Sequence, residues 1–269
     1  MNKIMMIILL AASITPLMGV HQYKLQQTIR PPFYVHGMRQ KEATSIAELK
    51  NGNIAFASHW NTWIKIWDAT PGGQLIRTLQ TDTRTEKLTA LDDDTIASLN
   101  GGTIKILDLV YGEVLETLRN NDLVYGLTKL EDGRLVAGLR NGDINIWNPF
   151  SGELDQVLHN NGSVFAVTTL EDGRLVIGLI NNSYINIWNP YVGELEGTID
   201  TNNLNDSLTT LKNGEIVTGR ADGMINIWDP SSGKRIQSLQ GDSPAMSLIT
   251  LKDGRFAALL DSGEIKIYG

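Results

Sequence analysis

One pattern of apolar and polar positions recurs along the chain at intervals of about 40 residues. Its clearest copies are Leu130–Leu139 and Leu170–Leu179, in which Leu-Glu-Asp-Gly-Arg leads into an almost unbroken apolar run. Equivalent leucines open four further copies, and the spacings between consecutive copies run from 39 to 42 residues. These four leucines are Leu49, Leu91, Leu211 and Leu251. Such internal repetition predicts a fold built from stacked copies of one supersecondary unit.

Each repeat predicts four short strands, named a to d here in chain order. Asp-Gly and Asn-Gly pairs supply the positive φ that a tight hairpin between strands a and b needs. Strand b, as in Arg134–Leu139, is almost wholly apolar, so we expect both of its faces to be covered. Strand c, as in Ile144–Trp147, alternates, and a Pro- and Gly-containing turn such as Asn148–Gly152 leads to strand d. No segment keeps a helical period over ten residues, so we expect almost no helix.

The repeats predict how the sheets assemble. A four-stranded sheet with two apolar faces must stack against copies of itself, and radial stacking gives a β-propeller. Six repeats therefore predict an all-β fold, a six-bladed β-propeller of four-stranded antiparallel blades, formed as a single domain by residues 20–269. The sixth repeat has no strand d after Tyr268, whereas residues 23–29 carry the strand d pattern. We expect the N-terminal strand 23–29 to pair with Glu264–Tyr268 and complete the last blade, which removes an open sheet edge.

Strand c ends in Trp-Asp or Trp-Asn in four of the repeats. These tryptophans are Trp67, Trp147, Trp188 and Trp228. Together with the 40-residue period, they resemble the WD-repeat β-propeller family across residues 23–269, although repeat 2 has Leu107-Asp108, repeat 6 ends in Tyr268, and the family's Gly-His before strand a is missing. The resemblance implies a rigid platform that holds proteins or peptides on one rim, with catalysis rare. Because the four tryptophans occupy one repeat position, we expect them to pack between blades.

The composition narrows the classes of function. The chain has 23 Lys and Arg against 30 Asp and Glu, a net charge of −7, which argues against binding nucleic acid through bulk electrostatics. It contains no cysteine, which excludes disulfides, thiolate metal sites and cysteine catalysis. Asp92–Asp94 is the sharpest acidic run, but it occupies an a–b turn and lacks the glycine and distal Glu of a calcium loop. Glu131-Asp132 and Glu171-Asp172 recur with the hairpin and are interpreted as turn residues. The sequence predicts no catalytic residue, no bound metal and no cofactor.

Residues 1–19 differ in composition from the repeats. Lys3 precedes the apolar run Ile4–Ile14, and Leu17-Met-Gly19 ends in a small residue, which is the layout of a secretory signal peptide. The run is 11 residues long, short of the roughly 20 that a membrane-spanning helix needs. We therefore expect residues 1–19 to be a signal peptide and the protein to be periplasmic or secreted, with no membrane span after signal removal.

The b–c loops and the d–a connections should share one rim of such a propeller, and they differ between repeats. An irregular loop on a regular scaffold is where function is expected. We therefore predict a partner-binding rim for a protein or peptide, formed by Tyr34, His59, Trp60, Arg140, Asn181, Tyr184, Arg220 and Asp222. The leading interpretation is a non-catalytic, monomeric interaction platform. Two alternatives stay open: a propeller lyase, hydrolase or quinone-dependent enzyme with a central-channel site, and a structural subunit of an envelope or extracellular assembly.

Overall fold

The structure is a computed structural model that describes residues 22–29, 45–49, 51–57, 62–68, 74–92, 94–180, 182–203, 205, 207–251, 253–262 and 264–269. The predicted signal peptide lies outside the described residues, as do four members of the predicted rim, namely Tyr34, His59, Trp60 and Asn181. The chain divides into two compact units. The described residues of unit 1 lie between 45 and 160, and those of unit 2 are 22–29 together with those between 161 and 269.

Unit 1 contains three blades, each a four-stranded antiparallel sheet whose strands are neighbours in chain order. Blade 1 consists of β2 (Ser45–Glu48), β3 (Ile54–Ala57), β4 (Trp63–Trp67) and β5 (Leu75–Gln80). Blade 2 consists of β6 (Lys87–Ala90), β7 (Thr95–Asn100), β8 (Thr103–Asp108) and β9 (Val114–Arg119). Blade 3 consists of β10 (Val124–Lys129), β11 (Leu135–Leu139), β12 (Asp143–Trp147) and β13 (Leu154–His159).

Unit 2 contains the other three blades and β1 (Leu25–Ile29). Blade 4 consists of β14 (Val164–Thr169), β15 (Leu175–Leu179), β16 (Tyr184–Asn189) and β17 (Glu194–Asp200). Blade 5 consists of β18 (Ser207–Thr210), β19 (Ile216–Gly219), β20 (Met224–Trp228) and β21 (Arg235–Gln240). Blade 6 consists of β22 (Ala245–Thr250), β23 (Phe256–Leu260), β24 (Ile265–Tyr268) and β1. The described residues contain no helix, and the predicted fold class, an all-β six-bladed β-propeller, is confirmed.

The burial of the strands follows their apolar pattern. Every residue of β11 and of β15, the b strands of blades 3 and 4, is buried, as their apolar sequence predicts. Strand d is the least covered: in β9, only Leu118 is fully buried. Within unit 1, Leu99 and Ile104 of blade 2 pack in one cluster with Leu135 of blade 3, so the core lies between adjacent blades. Each such side chain contributes about 1.5–3 kcal/mol of burial free energy, which a single blade could not obtain alone.

The last blade is completed from the other end of the chain, as predicted. β1 pairs antiparallel with β24, which places Leu25 opposite Tyr268 and Thr28 opposite Lys266. The strand spans Leu25–Ile29, two residues shorter than the predicted 23–29, because Tyr23 leaves the ladder and turns into the core. Both strands would otherwise have an unpaired edge.

Tyr23 fixes this N-terminal strand to its neighbours through its side chain and its backbone. Its buried ring lies 5.6 Å from the ring of Phe256, centroid to centroid, in an edge-to-face arrangement. Its hydroxyl donates a hydrogen bond to Glu215 Oε2 at 2.8 Å and accepts one from Asn213 Nδ2 at 3.0 Å. The Gln237 side-chain amide accepts from the Tyr23 backbone N–H at 2.8 Å and donates to its carbonyl at 2.7 Å. The segment before β1 is therefore attached to blade 5 as well as to blade 6.

Candidate partner-binding surface

The repeated acidic residues of the a–b hairpins stabilise their own turns. Asp132 accepts a hydrogen bond from the backbone N–H of Arg134 at 3.0 Å and forms an ion pair with the guanidinium of the same residue at 2.8 Å. Asp172 and Arg174 repeat these contacts at 3.1 and 2.7 Å, and the Arg174 guanidinium lowers the pKa of Asp172 below its usual range. Asp92 accepts two backbone N–H groups of its own turn. These carboxylates therefore have structural partners, and no three His, Asp or Glu of the described residues are grouped so as to hold a metal ion.

The residue that follows strand c caps the c–d turn with a side-chain oxygen. Asn148 Oδ1 accepts hydrogen bonds at 3.1 and 3.2 Å from the backbone N–H groups two and three residues later. Asp108 Oδ1 accepts from the equivalent N–H groups, those of Val110 and Tyr111, at 2.6 and 2.7 Å. Because an amide oxygen and a carboxylate oxygen both accept these bonds, Trp-Asn replaces Trp-Asp without altering the turn.

Trp147 packs between blades, as its repeat position predicts. Its ring is buried in the cluster that joins blade 3 to Leu91 and Leu99 of blade 2. Its Nε1 donates to Asn120 Oδ1 at 3.1 Å, and the same oxygen accepts from Asn145 Nδ2 at 2.8 Å. Asn120 lies just after strand d of blade 2, so one amide oxygen joins two buried donors of blade 3 to the preceding blade.

The other three repeat tryptophans differ in their surroundings. Trp228 is buried against Ile187 of blade 4, and its Nε1 donates to Thr218 Oγ1 in its own blade at 3.1 Å. Trp188 is buried as well, whereas Trp67 in blade 1 is only partly buried.

The middle polar residue of strand c pairs with the connection that precedes its blade in blades 2, 3 and 6, whereas in blades 4 and 5 its oxygen accepts from strand d of its own blade. Blades 3, 4 and 5 have Asn at this position, and blades 1, 2 and 6 have Lys. Lys105 forms an ion pair with Asp82, and the buried Lys266 forms one with Asp242. In blades 2 and 6, the facing connection therefore supplies the aspartate that pairs with the lysine.

The structure describes four members of the predicted rim, in separate units. In unit 1, the Arg140 guanidinium pairs with Asp122 at 2.8 Å. In unit 2, Arg220 pairs with Asp222 at 2.6 Å, and Asp222 also accepts a backbone N–H of its own b–c turn at 3.0 Å. Tyr184 is exposed at the start of β16. These charges are therefore engaged within the protein, and the rim stays a prediction.

A stripe of exposed apolar side chains crosses the outer strands and c–d turns of unit 1. It consists of Leu75, Ile76, Val110, Tyr111, Val114, Leu115, Phe150 and Leu154, and is called the apolar stripe below. Tyr111 is 79% exposed and Phe150 is 57% exposed. The Arg77 side chain on β5 donates to the Val110 carbonyl, so strand d of blade 1 contacts the c–d turn of blade 2. A Cβ at Gly152 would lie 2.9 Å from Glu116 Cδ, so the next turn contacts β9 just as closely.

Sequence reasoning missed the apolar stripe because it weighted loops that vary in length, which lie at the other ends of the strands. A signal was present in the residue types of the c–d turns. Blade 5 has Ser231-Ser232 where blade 2 has Val110-Tyr111, although both turns have the same length and the same capping aspartate position. The turn therefore does not need large apolar residues in order to form, since blade 5 forms it with two serines.

Comparison with known proteins supports the fold. No protein-family model and no curated protein matches the chain. Among solved structures, a chain from the crystal structure of the mitotic checkpoint complex matches with a TM-score of 0.74 and 21% sequence identity, over 84% of this chain and 74% of that chain. The likeness supports a WD-repeat-like β-propeller, and at this identity it concerns the fold alone.

Proposed function

We propose that this protein is a non-catalytic interaction platform that binds a protein or peptide on the apolar stripe of unit 1. The observation that carries the proposal is the exposure of large apolar side chains on strand d or the c–d turn of three successive blades, which contact one another there. Single exposed apolar residues are ordinary on protein surfaces, whereas a contiguous group of them indicates an interaction site.

The aromatic members of the stripe are presented on rigid supports. Two hydrogen bonds to Asp108 hold the turn that carries Tyr111, and two to Asn148 hold the turn that carries Phe150. A turn whose backbone is already ordered loses little backbone conformational entropy on binding. Aromatic residues are enriched among the residues that dominate interface energies, so we assign Tyr111 and Phe150 as the anchors.

The flanking charges suggest how a partner is oriented. Glu116 lies beside the Phe150 turn, and Arg77 lies beside the Tyr111 turn. Charges at the edge of an apolar surface contribute more to orientation and association rate than to affinity. We therefore expect a partner with an apolar centre whose charges complement this pair.

Export is the second part of the proposal. The charged start, the apolar centre and the small terminal residue of positions 1–19 support a signal peptide. In the described part of the chain, no helix is long and apolar enough to cross a membrane. N-terminal sequencing of the protein from the periplasm or the medium should give a start close to position 20, and should give Met1 from the cytoplasm for an L9D variant. Recovery of the wild-type protein in the cytoplasm with Met1 intact would contradict export.

The binding surface is tested by affinity capture from native extract with four versions of the protein. Wild type is compared with Y111S/F150S, which removes both anchors, and with R140E/R220E, which changes the predicted rim. Y191S serves as the matched control, because Tyr191 is exposed in the equivalent turn of blade 4 in unit 2. Each variant is first shown to unfold at the same temperature as wild type.

A partner retained by wild type, R140E/R220E and Y191S but reduced at least tenfold by Y111S/F150S is the expected result. Equal capture by wild type and Y111S/F150S would refute the apolar stripe as the binding surface. Loss with R140E/R220E alone would establish the other rim instead.

A further inference from the structure

A cavity of about 270 Å³ lies in unit 1, where blade 2 faces blade 1. A second cavity of about 200 Å³ adjoins it and shares Thr83, Ser98 and Lys105 with it. The lining of the first includes the buried Leu107 and the exposed Val114, a member of the apolar stripe. An engineered apolar cavity of about 150 Å³ is large enough to bind benzene, so a ring system fits a space of this size.

The cavity lies where the repeat places an indole ring in other blades. Leu107 pairs with Ile96 across the b–c ladder of blade 2. The same position of blade 3 holds Trp147 opposite Leu135. Trp147 faces the preceding blade and fills the space there, whereas Leu107 is smaller and leaves part of the space open. The shape of the cavity therefore derives from one departure from the repeat.

The polar groups that bind indole N–H in other blades have counterparts in this cavity. In blade 5, Trp228 Nε1 donates to Thr218 Oγ1 at 3.1 Å. Thr218 pairs with the middle residue of strand c, and Ser98 has the same place in blade 2, opposite Lys105. Ser98 Oγ lies 2.8 Å from Thr85 Oγ1, and a hydroxyl oxygen that donates to one neighbour still accepts from another.

A second acceptor position is also kept. Asn120, which accepts from Trp147 Nε1, follows strand d of blade 2. Its backbone N–H donates to the carbonyl of Gly102, in the b–c turn of that blade, at 2.9 Å. Thr81 follows strand d of blade 1, donates in the same way to Thr62 at 2.8 Å, and lines the cavity. The cavity therefore lies at the position that a tryptophan occupies in other blades. It also has a hydroxyl group, from Ser98 or Thr81, at each of the two positions that accept the indole N–H in blades 5 and 3.

We propose that this cavity binds the indole ring of a tryptophan side chain supplied by a partner peptide. The proposal rests on the proposed function, because it assigns to the partner of the apolar stripe one residue that enters the protein beside Val114. The ring lies against Leu79 and Leu107, and its N–H donates to Ser98 Oγ. In this arrangement, a tryptophan of the partner fills the space between blades 1 and 2. The protein's own Trp147 fills the equivalent space between blades 2 and 3.

The probe is N-acetyl-L-tryptophanamide, compared with its 1-methyl derivative, which has no indole N–H. Binding to the full-length protein is measured by ligand-observed NMR for wild type, L107W and S98A. The L107W variant places in blade 2 the residue that blades 3, 4 and 5 already have, so it fills the cavity from within. Wild type should bind the probe at least fivefold more tightly than the methylated derivative, because one hydrogen bond is lost.

L107W should reduce probe binding at least tenfold and raise the unfolding temperature. S98A should bind both probes equally, and it keeps the test valid if L107W does not fold. Absence of binding to wild type, binding to L107W as tight as to wild type, or a preference for the indole that survives in S98A would each overturn the proposal.

Capture from extract separates this inference from the proposed function. A partner lost with Y111S/F150S but fully retained by L107W refutes the cavity as the partner's binding site and leaves the platform standing. A partner lost with both variants supports both. Probe binding that L107W abolishes, together with a partner unaffected by Y111S/F150S, refutes the apolar stripe and retains the cavity as an indole site.

Discussion

Replacing Asn120 by alanine should destabilise the protein through two donors that lie in the next blade. Asn120 Oδ1 accepts from Asn145 Nδ2 at 2.8 Å and from Trp147 Nε1 at 3.1 Å, and both donor residues are buried. A buried donor left without a partner costs about 1–3 kcal/mol, so N120A should lower the free energy of unfolding by about 2–6 kcal/mol. The lower end is expected where water enters beside the alanine.

The assay is urea unfolding followed by tryptophan fluorescence, with the slope m compared between variants. N120D keeps an acceptor oxygen for both donors, but it replaces the donation to the Gly102 carbonyl by a contact between two acceptor oxygens, so it should cost less than N120A but more than nothing. N161A removes an exposed asparagine at the start of the next connection and should stay within about 0.5 kcal/mol of wild type.

A double-mutant cycle tests whether the loss of stability arises because one Asn120 oxygen accepts from both donors. In the N145A background, one of the two donors is already absent, so N120A should cost about 1–3 kcal/mol less than in wild type. Full additivity of the two substitutions, or an N120A variant within about 0.5 kcal/mol of wild type at unchanged m, would refute the reasoning that one oxygen serves both donors.

Three further predictions concern charged groups. Burial and the Glu215 carboxylate raise the pKa of Tyr23 above its ordinary 10.0, so its contribution to stability should be complete below pH 10 and fall as the pH rises further. An alkaline unfolding series checks this: Y23F should show a smaller fall than wild type, and the remainder comes in part from Tyr268, whose pKa burial also raises. Arg174 lowers the pKa of Asp172 below 3.8, so D172N should remove part of the loss of stability seen on acidification below that pH, measured as unfolding temperature against pH. Because the Lys266 ammonium is buried and Asp242 is exposed, D242N should cost about 1 kcal/mol after allowance for solvent screening, whereas K266M should be neutral or stabilising in the urea assay.

Much of the fold could be predicted because the same strand pattern occurs six times, so each copy supports the interpretation of the others. Strand b of blade 3, Leu135–Leu139, has no polar residue, and only a strand covered on both faces tolerates that. The pairing of β1 with β24 in the last blade could be predicted because the sequence of β1 matches the strand d pattern of the other repeats. The exit of Tyr23 from the ladder did not, because its contact with Phe256 depends on packing that no local pattern encodes.

The candidate site was harder to predict than the fold. Leu107 is visible in the sequence as a departure from tryptophan, yet a smaller residue opens a cavity only where its neighbours do not collapse around it. The exposure of Tyr111 depends on the direction in which the Asp108-capped turn presents it. Loop irregularity directed attention to b–c loops instead, where Arg220 and Asp222 prove to be paired with each other.

Because β1 pairs with β24 at the other end of the chain, blade 6 can form only as the last blade during synthesis. Gln26 and its contact Arg255 are 229 positions apart, and a ribosome needs roughly 10 to 45 s to synthesise that length. During this interval β1 has no partner strand, so it stays open to proteases and to pairing with other chains. A chain built in this way completes blade 6 only after blades 1 to 5 have been made. It therefore remains incompletely folded until its last strand, β24, has been synthesised.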